Sequence, residues 1–258
     1  MIDPKVFAEL QNCYIVTQVG IEADDFKNLD ELKNYGLATA IGTDEVYAKA
    51  LEATNYVESF LAEVKAGGYV TLDGDIELSD YIEIRNDVTI DLNGYKIVHP
   101  KTSPSKYPDV FEVMTGGKLT LVGNGEVVAE NGYAVYAAGD AVVEINGGTY
   151  LSPVSTVDAR KNASVTINAG TFKVDGTNNP DGDFGQKYTL NLRDKTGNYA
   201  SELSEIVVKG GKFYKYNPAA SESEPVVTNF VAEGYESVQE GDWFVVREAA
   251  EIVVDDEK

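Results

Sequence analysis

The chain of 258 residues carries 43 acidic against 21 basic side chains, a formal net charge of -22. A surface this acidic repels phosphate backbones and anionic lipid, which argues against nucleic acid and membrane surfaces as partners. No segment approaches the roughly 20 consecutive apolar residues of a membrane span. The opening MIDPKVFAELQNCYIVTQ, with Asp3, Pro4 and Lys5, lacks the apolar run of a secretory signal, so the expectation is a chain made in a cytoplasm that does not leave by the general secretory route. Cys13 is the one cysteine, which rules out an intrachain disulfide and predicts a small core residue.

Residues 1–45 come first. FAELQNCYIVTQVG fits helical and extended patterns equally well. Its apolar run, Phe7, Leu10, Tyr14, Ile15, Val16 and Val19, stands apart from the repeat that follows. A segment this short buries little apolar area by itself. Its side chains are therefore expected to meet another surface, which makes this an attachment or oligomerisation region. The alternative is that it folds back over the body. Beyond it, Val46, Ala50, Val57, Phe60, Leu61 and Val64 recur at three- and four-residue spacings. Thr43 with Asp44 and Glu45 suits an N-terminal cap and Gly67-Gly68 a stop, predicting a helix over roughly 44 to 65. We assign residues 46–66 as a capping helix.

From Gly67 the texture changes. In GGYVTLDGDIELSDYIEIRNDVTIDLNGYKIVHP, apolar and polar residues alternate and Gly or Asn punctuates the run, the mark of short strands with one buried face. VTIDLNGYKI (88–97), LTLVGNGEVV (119–128), VEINGGTYL (143–151), VTINAGTFKV (165–174) and IVVKGGKFY (206–214) align as an internal repeat. Their reference glycines, Gly94, Gly125, Gly148, Gly170 and Gly211, are spaced 31, 23, 22 and 41. The longer intervals hold the insertions PKTSPSKYPD and DGTNNPDGDFGQK, the first of which would place His99 at an inserted loop. A period near 22 with about three short strands per repeat is what a parallel β-helix requires, with equivalent strands about 4.8 Å apart. Val88, Ile90 and Leu92 are expected inward, as are Val143, Ile145, Val165 and Ile167. Ile90, Ile145 and Ile167 should share one column. Asn93, Asn124, Asn146 and Asn168 beside the glycines predict left-handed corners and a partial ladder of amides. A β-sandwich with long hairpins is the alternative.

These stretches resemble the first rungs of right-handed β-helix proteins of the pectin-lyase-like superfamily, over roughly residues 55 to 217. The resemblance implies a mainly β solenoid over 67–217 behind a helical N-terminal region. GGKFYKYNPAASESEPVVTNFVAEGYESVQEGDWFVV (210–246) is similar to a closing module of β-helix proteins from gut bacteria and their phages. It implies a small C-terminal β module with an acidic tail (218–258), a hairpin turning at Gly241, and Phe230, Tyr235, Trp243 and Val245 covering the open end of the solenoid.

Many relatives of that superfamily cleave acidic polysaccharides, which makes a lyase or hydrolase the rival reading. The family's catalytic motifs are missing, however. His99 is the one histidine and lies in no Gly-His-Gly, and RDK (193–195) only faintly echoes an RIK motif. Arg85, Arg160, Lys161 and Arg193 are the sparse basic candidates. The expectation is no catalytic residue and no cofactor. DGTNNPDGDFG (175–185) looks like a calcium loop but puts Tyr188 where the EF-hand register needs Glu, so no metal site is expected either. Sixteen tyrosines against one tryptophan and nine phenylalanines offer a candidate adhesive face, Tyr133, Tyr136, Tyr150, Tyr188 and Tyr199, since tyrosine gives rigid amphipathic contact area. Ordinary packing is the plainer explanation. Together with the resemblance, these features imply a phage virion protein, a head fibre or capsid decoration protein. Its partners would be capsid or tail proteins, and a homotrimer and a host glycan are further expectations. A tail fibre and a bacterial surface adhesin are the remaining alternatives.

Overall fold

The computed structural model describes residues 56–101, 108–174, 188–192, 203–223 and 226–250. Residues 56–66 form a helix, α1. Its Phe60 and Val64, one turn apart, are both 2% exposed. The helix stops at Gly67, whose φ of +84° suits a residue without Cβ. The Asn86 amide donates to the terminal carbonyls of Val64 and Lys65 at 3.1 and 3.0 Å. The earlier part of the expected helix, residues 44–55, lies outside the described residues.

Strands then recur in threes. β1 (Gly68–Thr71), β2 (Ile76–Glu77) and β3 (Ile82–Ile84) are followed by β4 (Asp87–Asp91), β5 (Lys96–His99) and β6 (Phe111–Val113). Next come β7 (Lys118–Val122), β8 (Glu126–Ala129) and β9 (Tyr133–Ala138). In the following repeats the first two strands merge: β10 (Val142–Ser152) precedes β11 (Ser155–Arg160), and β12 (Ser164–Val174) precedes β13 (Leu190–Leu192). β14 (Glu205–Val208) and β15 (Gly211–Tyr214) come next. The short pair β16 (Ser221–Ser223) and β17 (Val226–Thr228) and the hairpin β18 (Tyr235–Glu240) and β19 (Trp243–Glu248) complete the described strands.

Every pairing among β1 to β15 is parallel. Antiparallel pairing is confined to the C-terminal strands, so the hairpin sandwich does not fit. The strands form a larger sheet built on β1-β4-β7-β10-β12-β15 and a smaller one in the order β13-β11-β9-β6-β3.

The core is a set of columns in register. Val70, Ile90, Leu121, Ile145, Ile167 and Val208 follow one another across the larger sheet, so Ile90, Ile145 and Ile167 do share a column. A second column runs Ile76, Ile97, Val127, Tyr150, Phe172 and Phe213. The smaller sheet adds Ile82, Phe111, Val135, Val157 and Leu190. All of these side chains are buried. In the second column the rings of Tyr150 and Phe172 stack at 5.0 Å between centroids, and those of Phe172 and Phe213 at 4.9 Å. Burying aligned apolar rows supplies the main driving force for such a stack.

The corners obey the expected chemistry only in part: of the four asparagines Asn93 alone is left-handed, with φ +45°, followed by Gly94 at φ +85°. Gly148, at φ +83°, sits where an added Cβ would come within 2.7 Å of Leu92 Cδ1. The amide ladder is partial: Asn168 Nδ2 donates to Asn146 Oδ1 at 2.8 Å, whereas Asn93 Nδ2 donates to the Leu72 carbonyl at 2.9 Å.

Two expectations change. His99 does not stand in a loop: it is the last residue of β5, pairs with Ala129, and is fully buried with Nδ1 2.5 Å from the Asp109 carbonyl. At the C-terminus the hairpin turns at Gly241 (φ +64°) as expected, and β19 joins β15 edge to edge, pairing Tyr214 with Trp243. That register points Val246 inward, 3% exposed, and leaves Val245 half-buried on the other face. Phe230 is 3% exposed, while Tyr235 and Trp243 are half-buried.

Candidate functional site

The polar face of the smaller sheet gathers several perturbed groups, among them Asp109, Glu112, Tyr133 and Arg160. Alternation along β6, β9 and β11 sends Phe111, Val135 and Val157 inward and Glu112, Tyr136 and Asp158 the other way. Parallel register then aligns Glu83, Glu112, Tyr136, Asp158 and Asn191 across β3, β6, β9, β11 and β13.

Asp158 is fully buried, which an ionised carboxylate tolerates only when paired and hydrogen-bonded. Arg160, two residues on and therefore on the same face, supplies a two-pronged contact. Its Nε lies 2.5 Å from Oδ1 and its Nη2 2.9 Å from Oδ2. Asn191 Nδ2 donates to Oδ2 at 2.7 Å. Arg160 Nη2 also donates to the Tyr133 hydroxyl at 3.0 Å. The guanidinium carbon lies 5.6 Å from the Tyr133 ring centre and 5.3 Å from that of Tyr136, within reach of a cation–π contact. The two rings stack at 6.1 Å with 19° between their planes. Arg160 thus clamps both tyrosines.

Burial works to lower the Arg160 pKa, but the hydrogen bond and charge of Asp158 outweigh it and hold the guanidinium charged. Burial pushes the Tyr133 phenol up to about 12, helped by the Asp158 charge and opposed by Arg160. Asp109, 7% exposed, is raised to about 6 by burial even though its Oδ1 accepts the Tyr133 N–H at 2.7 Å. Glu112 is raised to about 7 by burial and by the charges of Asp109, Glu83 and Asp80. Glu83, directly across from Glu112, is paired with Arg85 at 2.7 Å. Near neutral pH the face therefore offers a proton-bearing carboxyl beside two clamped phenol rings. Such a set can donate to and accept from hydroxyl groups and lay a ring against a flat apolar surface.

Of the tyrosines expected on an adhesive face, Tyr133 and Tyr136 come together here and both are half-buried. Tyr150 and Tyr188 do not belong to it. Tyr150 is fully buried in the aromatic column and Tyr188 is 8% exposed, because strand register sends the first into the core. Tyr199, Arg193, the 175–185 segment and the attachment run Phe7, Leu10, Tyr14, Ile15, Val16 and Val19 lie outside the described residues. Asp109, Glu112, Asp158 and Asn191 are the residues that sequence reasoning missed. The signal for one of them was available: in STVDAR, Asp158 and Arg160 stand two apart in a strand, which forces them onto one face. Among the described residues no group of three or more His, Cys, Asp or Glu side chains could hold a metal ion. Comparison of the chain with protein-family models, curated proteins and solved structures finds no match.

Proposed function

We propose that the chain is a right-handed parallel β-helix acting as a structural protein of a phage virion, a head fibre or capsid decoration protein, with the Tyr133–Tyr136 face serving adhesion to a host-surface glycan. The observation that carries the adhesive part is the clamped tyrosine pair on the outward face of a sheet whose other side is a continuous core. A binding surface held by buried charge and register has its side chains ordered before a ligand arrives, so binding loses little side-chain entropy. Parallel stacking supports the shaft role, since each repeat leans only on its neighbours and the body lengthens without new topology. The virion location and a homotrimer rest on the resemblance of the repeats and closing module.

The test is a truncation beginning near Asp44, mixed with particles that lack the protein. Under this reading the truncated chain stays folded and soluble but does not decorate particles, whereas the full chain does. Unfolding of the truncated chain, or undiminished decoration, sinks the attachment role of residues 1–45.

A lyase or hydrolase acting on acidic glycans is the second reading, favoured by one observation. Asp109 and Glu112 are carboxyls poised near neutrality, which is what a general acid requires. Incubation with polygalacturonate separates the readings: release of reducing or unsaturated ends, lost in Glu112→Gln, would favour catalysis over adhesion.

A further inference from the structure

The C-terminal hairpin leaves one sheet edge open. Among the described residues β18 pairs with β19 alone and ends the larger sheet. The ladders on either side of β19 fix where the backbone groups of β18 point. Lys215 N–H donates to the Asp242 carbonyl at 2.8 Å, so Asp242, Phe244 and Val246 address β15. Trp243, Val245 and Arg247 therefore address β18, where their partners are Glu240, Val238 and Glu236. Ala249 N–H, donating to the Gly234 carbonyl at 2.8 Å, continues that ladder. Alternation then turns the backbone groups of Tyr235, Ser237 and Gln239 away from β19. The Tyr235 N–H closes a turn on the Ala232 carbonyl at 3.1 Å. Those of Ser237 and Gln239 cross the open edge, with no backbone partner among the described residues.

Beside this edge lies a cleft of about 430 Å³, lined by Asn229, Val231, Glu233, Tyr235 and Ser237 among others. Ser237 pairs with Val246, which is 3% exposed, so its side chain takes the inward face of the hairpin. The Ser237 Oγ is buried and has no hydrogen-bond partner among the described residues. Such an unmet group is costly unless something arrives to satisfy it. The cleft is rich in acceptors. Asn229 Oδ1 accepts the Val231 N–H at 2.9 Å and keeps a second lone pair, and the exposed Glu233 adds a carboxylate. Among the described residues no lysine or arginine lines it.

We propose that β18 takes up an extended segment of a partner protein bearing lysine or arginine, as one further antiparallel strand. The backbone of that segment bonds Ser237 and Gln239 across the open edge. A residue paired with Ser237 sends its side chain to the same face as Ser237, and so into the cleft. There the Ser237 hydroxyl, the Asn229 oxygen, the Tyr235 ring and the Glu233 carboxylate are available to a cation. Charge complementarity selects this occupant: an acidic side chain would meet Glu233, and an apolar one would leave the acceptors unmet.

The probe is a fluorescein-labelled peptide, Thr-Lys-Val-Lys-Val-Thr, titrated with the full chain and followed by anisotropy. Binding should saturate, and hydrogen exchange at the Ser237 and Gln239 amides should slow by about tenfold or more at saturation. A peptide with glutamate in place of both lysines should not bind. Methylating the two lysine amide nitrogens keeps the charge but removes the edge donors, and should weaken binding by about tenfold or more. Gln239→Pro removes an outward N–H and leaves the β19 ladder intact, so it should weaken binding by about as much. Circular dichroism checks that this variant folds, and the methylated peptide makes the same cut from the ligand's side if it does not. No saturable binding, equal binding of the glutamate peptide, indifference to methylation or unaltered exchange at both amides would overturn the proposal. So would a dimer of the chain alone that protects the same two amides, since a second copy would then be the occupant.

Discussion

The Tyr150 hydroxyl is fully buried and has no hydrogen-bond partner among the described residues. Burial alone raises its pKa, with no neighbouring group contributing. A hydroxyl stripped of water without a replacement partner costs about 1–3 kcal/mol. Tyr150→Phe removes that cost and keeps the ring, so the 5.0 Å stack on Phe172 survives. The void left by one oxygen takes back about a few tenths of a kcal/mol. The expected outcome is a gain of about 1–2 kcal/mol, or roughly 2–8 °C in melting temperature for a chain of this size. Tyr150→Ala is the contrasting variant: losing a buried aromatic should cost about 3–5 kcal/mol. Guanidinium unfolding followed by far-UV circular dichroism, together with calorimetry, measures both. Because neighbouring repeats can unfold separately in a stacked array, transition sharpness must be compared along with midpoints. A Tyr150→Phe protein less stable than the parent by 1 kcal/mol or more would show that the hydroxyl has a partner, a buried water being the obvious one, and the reasoning would fail.

Asp158→Asn should destabilise by about 3–5 kcal/mol, because it leaves the Arg160 guanidinium, 15% exposed, without its counter-charge; a loss below 1 kcal/mol in denaturant titration would contradict the clamp. The folded-state pKa values of Asp109 and Glu112, about 6 and 7, lie above the ordinary carboxyl value of about 4. Between those limits the folded chain binds more protons than the unfolded one, so stability falls as pH rises through about 4 to 7. Melting temperature should accordingly be higher near pH 5 than near pH 8, and an Asp109→Asn/Glu112→Gln protein should show a flatter profile. A parallel profile in that variant refutes the assignment, since the general relief of negative charge on acidification would remain. Gly125→Ala should cost about 2 kcal/mol or more, as an added Cβ would sit 2.4 Å from the Tyr95 carbonyl oxygen at φ +158°; normal stability in thermal melts would mean the corner can relax.

What the sequence disclosed follows from period. Glycine spacing and alternation were sufficient to place Ile90, Ile145 and Ile167 in one column, because each inward step of two residues is fixed once a strand begins. Alternation also dictates which neighbours face outward, and from it Asp158 and Arg160 could have been paired. It does not tell which outward position a neighbouring repeat will bury, and this is why Asp109, Glu112 and Asn191 escaped notice. Tyrosine is equally ambiguous. Its ring suits a column as well as a surface, so Tyr150 and Tyr136 look alike until register separates them. His99 was misplaced for a related reason: the proline after it reads as a loop signal, yet a strand can run up to the residue before proline.

The antiparallel attachment of β19 to β15 has a consequence for self-association. A stack of parallel strands ends in a row of unpaired amides and carbonyls that matches the exposed row at the start of an identical molecule. Left bare, such ends join head to tail into filaments of indefinite length. The hairpin covers that terminus and offers β18 as the new margin, six residues long, carrying Glu236 and Glu240 and running in the same direction as β15 after two antiparallel steps. The margin of a second copy, β18 against β18, would meet like charge there. Charge along that margin thereby discourages two copies from fusing hairpin to hairpin.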